Sequence, residues 1–110
     1  MNPTRIAILG ATGRMGRAII QAAALTPQVR IAAALDRSGN PLLGQDAAAQ
    51  AGLPPCGVML GDSLEAVVAQ FDVLIDLSRP EATLSALPVC VKHGKGMVIG
   101  TTGFTSEQKA

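Results

Sequence analysis

The sequence predicts an α/β fold, a doubly wound parallel sheet with helices on both faces, and three observations support this. Short apolar runs rich in β-branched residues alternate with stretches in which apolar residues recur at helical spacing. The first apolar run ends in a glycine-rich turn, and a helical pattern begins directly after it. The composition is 48% hydrophobic and 2% aromatic, which favours alanine-rich helices packed closely on strands of valine and isoleucine.

Strands and helices alternate along the chain. The predicted strands are Arg5–Leu9, Val29–Leu35, a short one near Val58–Leu60, Asp72–Leu77 and Gly96–Gly100. The predicted helices are Arg14–Leu25, a short one near Asp46–Ala51, one from Asp62 to about Gln70, one from Ser78 to His93, and the first turn of another at Thr105–Gln108. This order gives parallel strands joined by right-handed crossovers.

The first helix carries an apolar stripe that is expected to lie against the sheet, because its members recur every three or four residues. The stripe consists of Met15, Ala18, Ile19, Ala22 and Leu25.

Capping patterns mark the starts of two later helices. Asp62 is predicted to be an N-cap, with Glu65 at the third helical position. Ser78 and Glu81 repeat the pattern, and Pro80 between them is tolerated in a first turn.

The last long helix carries three further predictions. Pro88 is expected to kink the helix or end it early, since an interior proline costs about 3 kcal/mol. Gly94 is expected to terminate the helix in the left-handed conformation. His93, the one histidine of the sequence, is rejected as a catalytic base, because a helix that follows one strand ends near the start of the next, away from the strands' carboxyl ends.

Charge and cysteine content exclude several classes of protein. The net charge is +1 with no concentrated basic stripe, so a nucleic-acid surface is not expected. No apolar run approaches the roughly 18–20 residues of a membrane span, and the first residues lack the pattern of a secretory signal. Cys56 and Cys90 have no CxxC partner and are expected to be buried free thiols in a reducing, cytoplasmic environment.

The glycine turn predicts a dinucleotide site of the Rossmann type. Gly10, Gly13 and Gly16 join the first strand to the first helix, with GxxGxxG spacing where the strict fingerprint is GxGxxG. A pyrophosphate needs a tight turn, close approach of the backbone, and free N–H groups at a helix N-terminus. Glycines permit the first two because they lack a Cβ atom.

Two polar residues at the end of the second strand favour the same site. Asp36 lies where an acidic side chain accepts hydrogen bonds from the adenosine ribose, about 20 residues beyond the turn. Arg37 can meet a 2′-phosphate with its guanidinium group. The pair predicts tolerance of both NADH and NADPH; the alternative is that both side chains merely solvate a strand end.

Two more loops follow neighbouring strands of the predicted sheet. Ser78 and Arg79 follow one strand, and the turn formers Gly100–Gly103 follow the next. Ligands of open α/β sheets bind outside the carboxyl ends of the strands at the switch point, so the loops are expected to converge on one crevice. The alternative is that the second loop is only a set of turn formers.

Several of these motifs resemble the N-terminal part of the 4-hydroxy-tetrahydrodipicolinate reductase (dihydrodipicolinate reductase) family. The resemblance covers essentially the whole chain. The motifs that carry it are Ile6–Gly16 with its Gly-Arg-Met-Gly ending, Asp72–Thr83 with Ser-Arg-Pro-Glu, and His93–Gly96 through Ile99–Phe104.

The resemblance implies a parent enzyme that transfers a hydride from NADH or NADPH to a cyclic imine precursor of diaminopimelate and lysine. It implies cofactor contacts at Gly10, Ala11, Thr12, Gly13, Arg14, Met15, Asp36, Arg37, Gly100, Thr101 and Thr102. From their loops at the strand ends, Arg79 is also expected to contact the cofactor and Thr102 a polar substrate. The sequence departs from the family at Asp36, where glutamate is frequent, and at Leu77-Ser78, where Phe-Thr is common.

The resemblance also implies that residues 1–110 are an incomplete NAD(P)-binding domain. The histidine and lysine that protonate and bind substrate in the family lie in a following domain, which also forms the homotetramer. No catalytic residue and no metal ligand is therefore expected in this chain, which should bind cofactor without turning over the small-molecule substrate.

Two other functions remain as alternatives. Another Rossmann dehydrogenase, of the semialdehyde or acyl-phosphate type, would need a nucleophilic cysteine at a helix start, and neither Cys56 nor Cys90 fits that position well. A non-catalytic nucleotide- or CoA-binding module would bind phosphate without a loop on the nicotinamide side.

Overall fold

The computed structural model describes residues 3–100, which form a five-stranded parallel sheet. The strands are β1 (Thr4–Leu9), β2 (Val29–Leu35), β3 (Leu60–Gly61), β4 (Val73–Asp76) and β5 (Gly96–Ile99). The helices are α1 (Arg14–Ala24), α2 (Ala47–Gln50), α3 (Leu64–Val67), which continues as a 3₁₀ turn over Val68–Gln70, and α4 (Pro80–Lys92). The predicted helix start at Thr105–Gln108 lies outside the described residues.

The strands lie in the order β3-β2-β1-β4-β5, and each neighbouring pair is parallel. The chain therefore winds outwards in one direction from β1 through β2 to β3, then returns past β1 to β4 and β5. This confirms the predicted doubly wound fold and makes the gap between β1 and β4 the switch point.

Two apolar clusters cover opposite faces of the sheet, because successive strand residues alternate between faces. Ile8 and Ala34 pack with α1 and α2 in one cluster, whereas their neighbours Ala7 and Ala33 pack with Phe71 and α4 in the other. The central strands are thus buried on both sides, as is usual for parallel sheets.

Helix α1 turns a different face to the sheet from the predicted one. Gly16 and Ile20 are its buried residues, whereas Met15 and Leu25 of the predicted stripe are 60% and 86% exposed. Gly16 sets this orientation, since a Cβ atom there would lie 2.3 Å from the carbonyl oxygen of Gly10. The predicted stripe was wrong because Gly16 has no side chain and so does not count in an apolar pattern. In the structure, however, Gly16 makes the closest contact between α1 and the turn after β1.

The cap of α3 lies one residue later than predicted. Ser63 is the N-cap, and its Oγ accepts a hydrogen bond from the Ala66 amide at 3.3 Å. Asp62 accepts a hydrogen bond from the Ser38 hydroxyl instead, at 3.0 Å. The Asp62 side chain therefore does not cap α3, because it is hydrogen-bonded to Ser38, a residue distant in sequence.

The predicted cap of α4 at Ser78 is also wrong. The N-cap is Arg79, which makes no side-chain capping bond, and Pro80 occupies the first turn as expected. The Ser78 hydroxyl and amide both donate to Oδ1 of Asp76. Hydrogen bonds to a carboxylate are stronger than those between neutral groups. Ser78 therefore bonds to Asp76 at the end of β4 and does not cap α4.

Helix α4 continues through Pro88 to Lys92, so of the two expected effects of this proline, a kink or an early end, the early end is wrong. Ala86 and Cys90 on either side of Pro88 are buried against the sheet, and this packing holds the helix across the proline. His93 is the C-cap, and Gly94 takes a φ of 66°, which confirms the predicted left-handed end.

The two cysteines lie in different environments. Cys90 is a buried free thiol, as predicted, and burial together with the negative charge of Asp76 raises its pKa. Cys56 is exposed, so the prediction of burial is wrong for it. The loop that contains Cys56 is anchored by its backbone: the Cys56 amide donates to both carboxylate oxygens of Asp46, each at 3.1 Å.

Gly16→Ala is predicted to destabilise the fold by about 1–3 kcal/mol, the usual cost of forcing atoms into a closely packed site. A Cβ atom at Gly16 would also lie 2.8 Å from two backbone atoms of Ala11, and backbone cannot move aside as a flexible side chain can. The measurement is the free energy of unfolding in urea.

Gly13→Ala is the matched control, because its Cβ would lie 3.4 Å from the Gly10 oxygen and φ is −73°. We expect Gly13→Ala to change stability by less than about 0.5 kcal/mol. Equal destabilisation by the two substitutions would contradict the account of how α1 is oriented.

Candidate functional site

A cleft of about 870 Å³ opens at the carboxyl ends of β1, β2 and β4. This volume lies within the range of about 300–1,000 Å³ common for ligand sites. The cleft sits at the switch point, where this fold places ligands. Of the predicted site residues, it is lined by Gly10, Thr12, Gly13, Asp36, Arg37 and Arg79, together with Ser78.

The glycine turn brings the backbone close to the loop after β4. Gly10 takes a φ of 86°, and a Cβ atom there would lie 2.9 Å from the carbonyl carbon and oxygen of Leu77. Gly13 is the N-cap of α1, and α1 has no side-chain cap and no acidic residue in its first turn. The first-turn N–H groups of α1 therefore remain available to an anion, with the positive end of the helix dipole behind them.

Asp36 ties the end of β2 to the glycine turn. Its Oδ2 accepts hydrogen bonds from the Thr12 amide at 3.0 Å and the Thr12 hydroxyl at 2.6 Å. Its Oδ1 accepts from the Arg37 amide at 2.8 Å. Partial burial acts to raise the pKa of Asp36, but the hydrogen bonds from Thr12 and the interactions with Arg37 outweigh it and lower the pKa. The side chain is therefore a carboxylate at neutral pH.

Asn40 extends this contact and was not singled out in the sequence. Its Nδ2 donates to the Thr12 hydroxyl at 3.1 Å, while its Oδ1 accepts from the Leu42 amide at 2.8 Å. The Asn40-Pro41 pair is a turn signal, but its bond to Thr12 joins residues far apart in sequence and leaves no local pattern.

The outer end of the cleft is polar. Arg37 lines it and is exposed, beside Ser38 and Asp62, which are joined by a hydrogen bond. A guanidinium and an aspartate carboxylate therefore lie on the same side of the site, which suits a ribose with or without a 2′-phosphate.

Asp76 is a second residue that the sequence reasoning missed. It ends β4 and is fully buried, and its Oδ1 fixes Ser78, which lines the cleft. Its Oδ2 has no hydrogen-bond partner among the described residues. The signal that could have found it is an aspartate at the end of an apolar strand, two residues before a serine.

The remaining predicted contacts lie elsewhere. Ala11 is fully buried in the core, and Arg14 and Met15 are exposed on the first turn of α1, outside the lining of the cleft. Gly100 donates its amide to the Asp76 carbonyl at 2.8 Å, beside the end of β4. Thr101 and Thr102 lie outside the described residues.

Over residues 3–100, histidine, cysteine and acidic side chains form no group of three or more that could hold a metal ion. Over the same residues, no helix has the length and apolar character needed to cross a membrane.

A family profile described as "Dihydrodipicolinate reductase, N-terminus" matches residues 4–110. The chain belongs to the dihydrodipicolinate reductase family. It corresponds to the N-terminal, nucleotide-binding part of those proteins, which confirms the predicted resemblance.

Solved structures agree with this assignment. A dipicolinate-bound dihydrodipicolinate reductase from Paenisporosarcina sp. TG-14 is 27% identical, with a TM-score of 0.71 over 97% of this chain. An amine dehydrogenase from Mycobacterium smegmatis is 24% identical, with a TM-score of 0.73 over 90% of this chain. An aspartate semialdehyde dehydrogenase with NADP from Candida albicans is 16% identical, with a TM-score of 0.71 over 91%. The last two share the fold.

The chain spans 40% of the length of the Paenisporosarcina reductase chain, and 30% of each of the other two chains.

Thr12→Val is predicted to raise the pKa of Asp36, because valine keeps the shape and removes a hydroxyl that stabilises the carboxylate. The pKa is read from the carboxyl carbon shift by NMR. Thr12→Ser is the control: it keeps the hydroxyl and should leave that pKa low.

The same bond predicts a pH dependence of stability. The folded-state pKa of Asp36 is lowered, so its contribution is present above the unfolded pKa and lost as pH falls through the folded pKa. Thr12→Val should reduce that loss between neutral and acidic pH. An unchanged pKa in Thr12→Val would contradict the assigned bond.

Proposed function

We propose that this chain binds NADH or NADPH as the cofactor domain of a dihydrodipicolinate reductase. The observation that carries the proposal is the hydrogen-bonded pair of Thr12 and Asp36 at the carboxyl ends of β1 and β2, in the cleft that reaches the switch point. The pair holds a carboxylate beside the glycine turn and the N-terminus of α1. This supports ribose binding at Asp36 and pyrophosphate binding at the turn.

The described residues fit a dinucleotide. Gly13, the N-cap of α1, lines the cleft without a side chain. Added Cβ atoms at Gly10 and Gly16 would collide with backbone, so these two glycines keep the turn tightly packed. Asp36 and Arg37 line the same cleft at the ribose end, and Ser78 and Arg79 line it beyond the switch point. The pyrophosphate would lie against the first turn of α1, with the adenosine towards Arg37.

In the parent enzyme, the bound nicotinamide supplies a hydride to a cyclic, dicarboxylic imine on the route to diaminopimelate and lysine. This chain's residues hold and orient the cofactor, with Thr101 and Thr102 contacting the nicotinamide side and Thr102 the substrate. The histidine and lysine that protonate and bind substrate in the family lie in a following domain, beyond residue 110. The parent is a cytoplasmic homotetramer.

Neither cysteine of this chain fits the nucleophile of a semialdehyde-type mechanism. Such an enzyme needs an accessible nucleophilic cysteine at a helix start, close to a base. Cys90 is buried inside α4 with a raised pKa, and Cys56 lies in a loop between Pro55 and Gly57. Low thiolate content makes Cys90 a poor nucleophile.

Asp36→Ala is predicted to weaken NADH binding about tenfold and NADPH binding less, since a hydrogen bond to a charged group contributes about 1.5–3 kcal/mol. Arg37→Ala should do the reverse, because it removes the cation that faces a 2′-phosphate. Calorimetric titration with both cofactors measures the two constants. Lys92→Ala, which removes a cation at the far end of α4, should change neither.

Equal weakening of both cofactors by Asp36→Ala and Arg37→Ala would contradict the assigned roles. If circular dichroism shows that the wild-type chain is folded and calorimetry detects binding of neither cofactor, the proposed site is contradicted.

The chain alone is predicted to bind NADH without oxidising it in the presence of the cyclic substrate, because a proton donor is needed within hydrogen-bond reach of the reacting imine. The measurement is absorbance at the reduced-nicotinamide band. Turnover above the buffer rate would place a proton donor within residues 1–110.

A further inference from the structure

The polar side chains around Asp36 form a chain of hydrogen bonds that ends at a residue outside the predicted site. Asn40 donates to the Thr12 hydroxyl at 3.1 Å, and that hydroxyl donates to Asp36 at 2.6 Å. We propose that Asn40 is a positioning residue that sets the preference between NADH and NADPH, by holding the Thr12 hydroxyl on the Asp36 carboxylate. This rests on the proposed function.

The orientation of Asn40 is set by its second contact. The Leu42 amide is a donor, so the atom it reaches at 2.8 Å is the carbonyl oxygen of the Asn40 side chain. The amide nitrogen is left facing Thr12. Because Asn40 presents a donor there, the single proton of the Thr12 hydroxyl is directed to Asp36.

This arrangement consumes most of the accepting capacity of Asp36. A carboxylate has about four acceptor positions, about two on each oxygen. Oδ2 accepts from the amide and the hydroxyl of Thr12, and Oδ1 accepts from the Arg37 amide. One position on Oδ1 is left, whereas a ribose diol has two hydroxyls to donate.

Asp36 therefore contributes less to NADH binding, and repels the 2′-phosphate of NADPH less, than a carboxylate without these hydrogen bonds would. Asp36 can pair with one ribose hydroxyl, and three donors already balance part of its negative charge. Arg37 on the same rim of the cleft offers a cation to a 2′-phosphate. The hydrogen bond from Asn40 thereby shifts the site away from strict NADH selectivity.

Asn40→Asp is the sharpest test. An aspartate keeps an oxygen for the Leu42 amide but replaces the donor facing Thr12 by an acceptor. The Thr12 hydroxyl is then free to turn away from Asp36, and the added charge disfavours a 2′-phosphate. We expect the ratio of the NADPH to the NADH dissociation constant to rise about tenfold.

Thr12→Val separates the hydrogen bond from the added charge. It removes the hydroxyl and opens one position on Oδ2 of Asp36 without changing net charge. We expect the same ratio to rise about threefold to tenfold, mainly through tighter NADH binding. Thr12→Ser keeps the hydroxyl and should leave the ratio within about twofold of wild type.

The double variant tests whether Asn40 acts through Thr12. With valine at position 12 the hydroxyl is gone, so Asn40→Asp should retain its charge effect alone and the two shifts should not add. Full additivity would mean that Asn40 acts independently of Thr12 and would overturn the inference.

Calorimetric titration of folded wild type and of each folded variant with NADH and with NADPH measures the two dissociation constants of each protein. If wild type binds a cofactor and both Asn40→Asp and Thr12→Val leave the ratio within twofold, the inference is wrong and the proposed function stands. If folded wild type binds neither cofactor, the proposed function fails and the inference with it. Thermal unfolding of each variant shows that the change is one of selectivity rather than of folding.

Discussion

The hydrogen bonds from Thr12 to Asp36 connect two strand ends that the chain visits 24 residues apart. They require the turn after β1 to lie against the end of β2, where the amides of Gly10 and Ala11 also donate to the Leu35 carbonyl at 2.9 and 3.1 Å. Gly16 lets α1 approach Gly10 closely enough for this turn to lead directly into the helix. These contacts together bring the helix N-terminus and the carboxylate to the same end of the sheet, where the cleft lies.

Much of the fold could be predicted from the sequence, because strong local signals point the same way as the tertiary structure. β-Branched runs gave the strands, and Gly94 gave the end of α4. The face of α1 could not be predicted, since it depends on a glycine contact with a distant turn. Ser78 is not the predicted N-cap of α4, because it is hydrogen-bonded to Asp76 instead.

The residues of the candidate site likewise fall into those that the sequence predicted and those that it did not. The glycines and Asp36 stood out because their spacing follows from the shape of a dinucleotide. Asn40 and the buried Asp76 did not, because each acts on a residue that lines the cleft rather than through a motif. Residues that position a known side chain leave little trace in sequence spacing, and a structure is needed to find them.

The central claim is that a dinucleotide lies across the switch point, between the glycine turn and the loop after β4. A titration of ¹⁵N-labelled chain with NADH, followed by amide shifts, tests it most directly. The account predicts shifts confined to the amides of Gly10–Gly16, Asp36–Asn40, Ser78–Arg79 and Gly100–Thr102. Shifts at the opposite edge of the sheet, around Thr4 and Gly94–Gly96, with these amides unmoved, would contradict it.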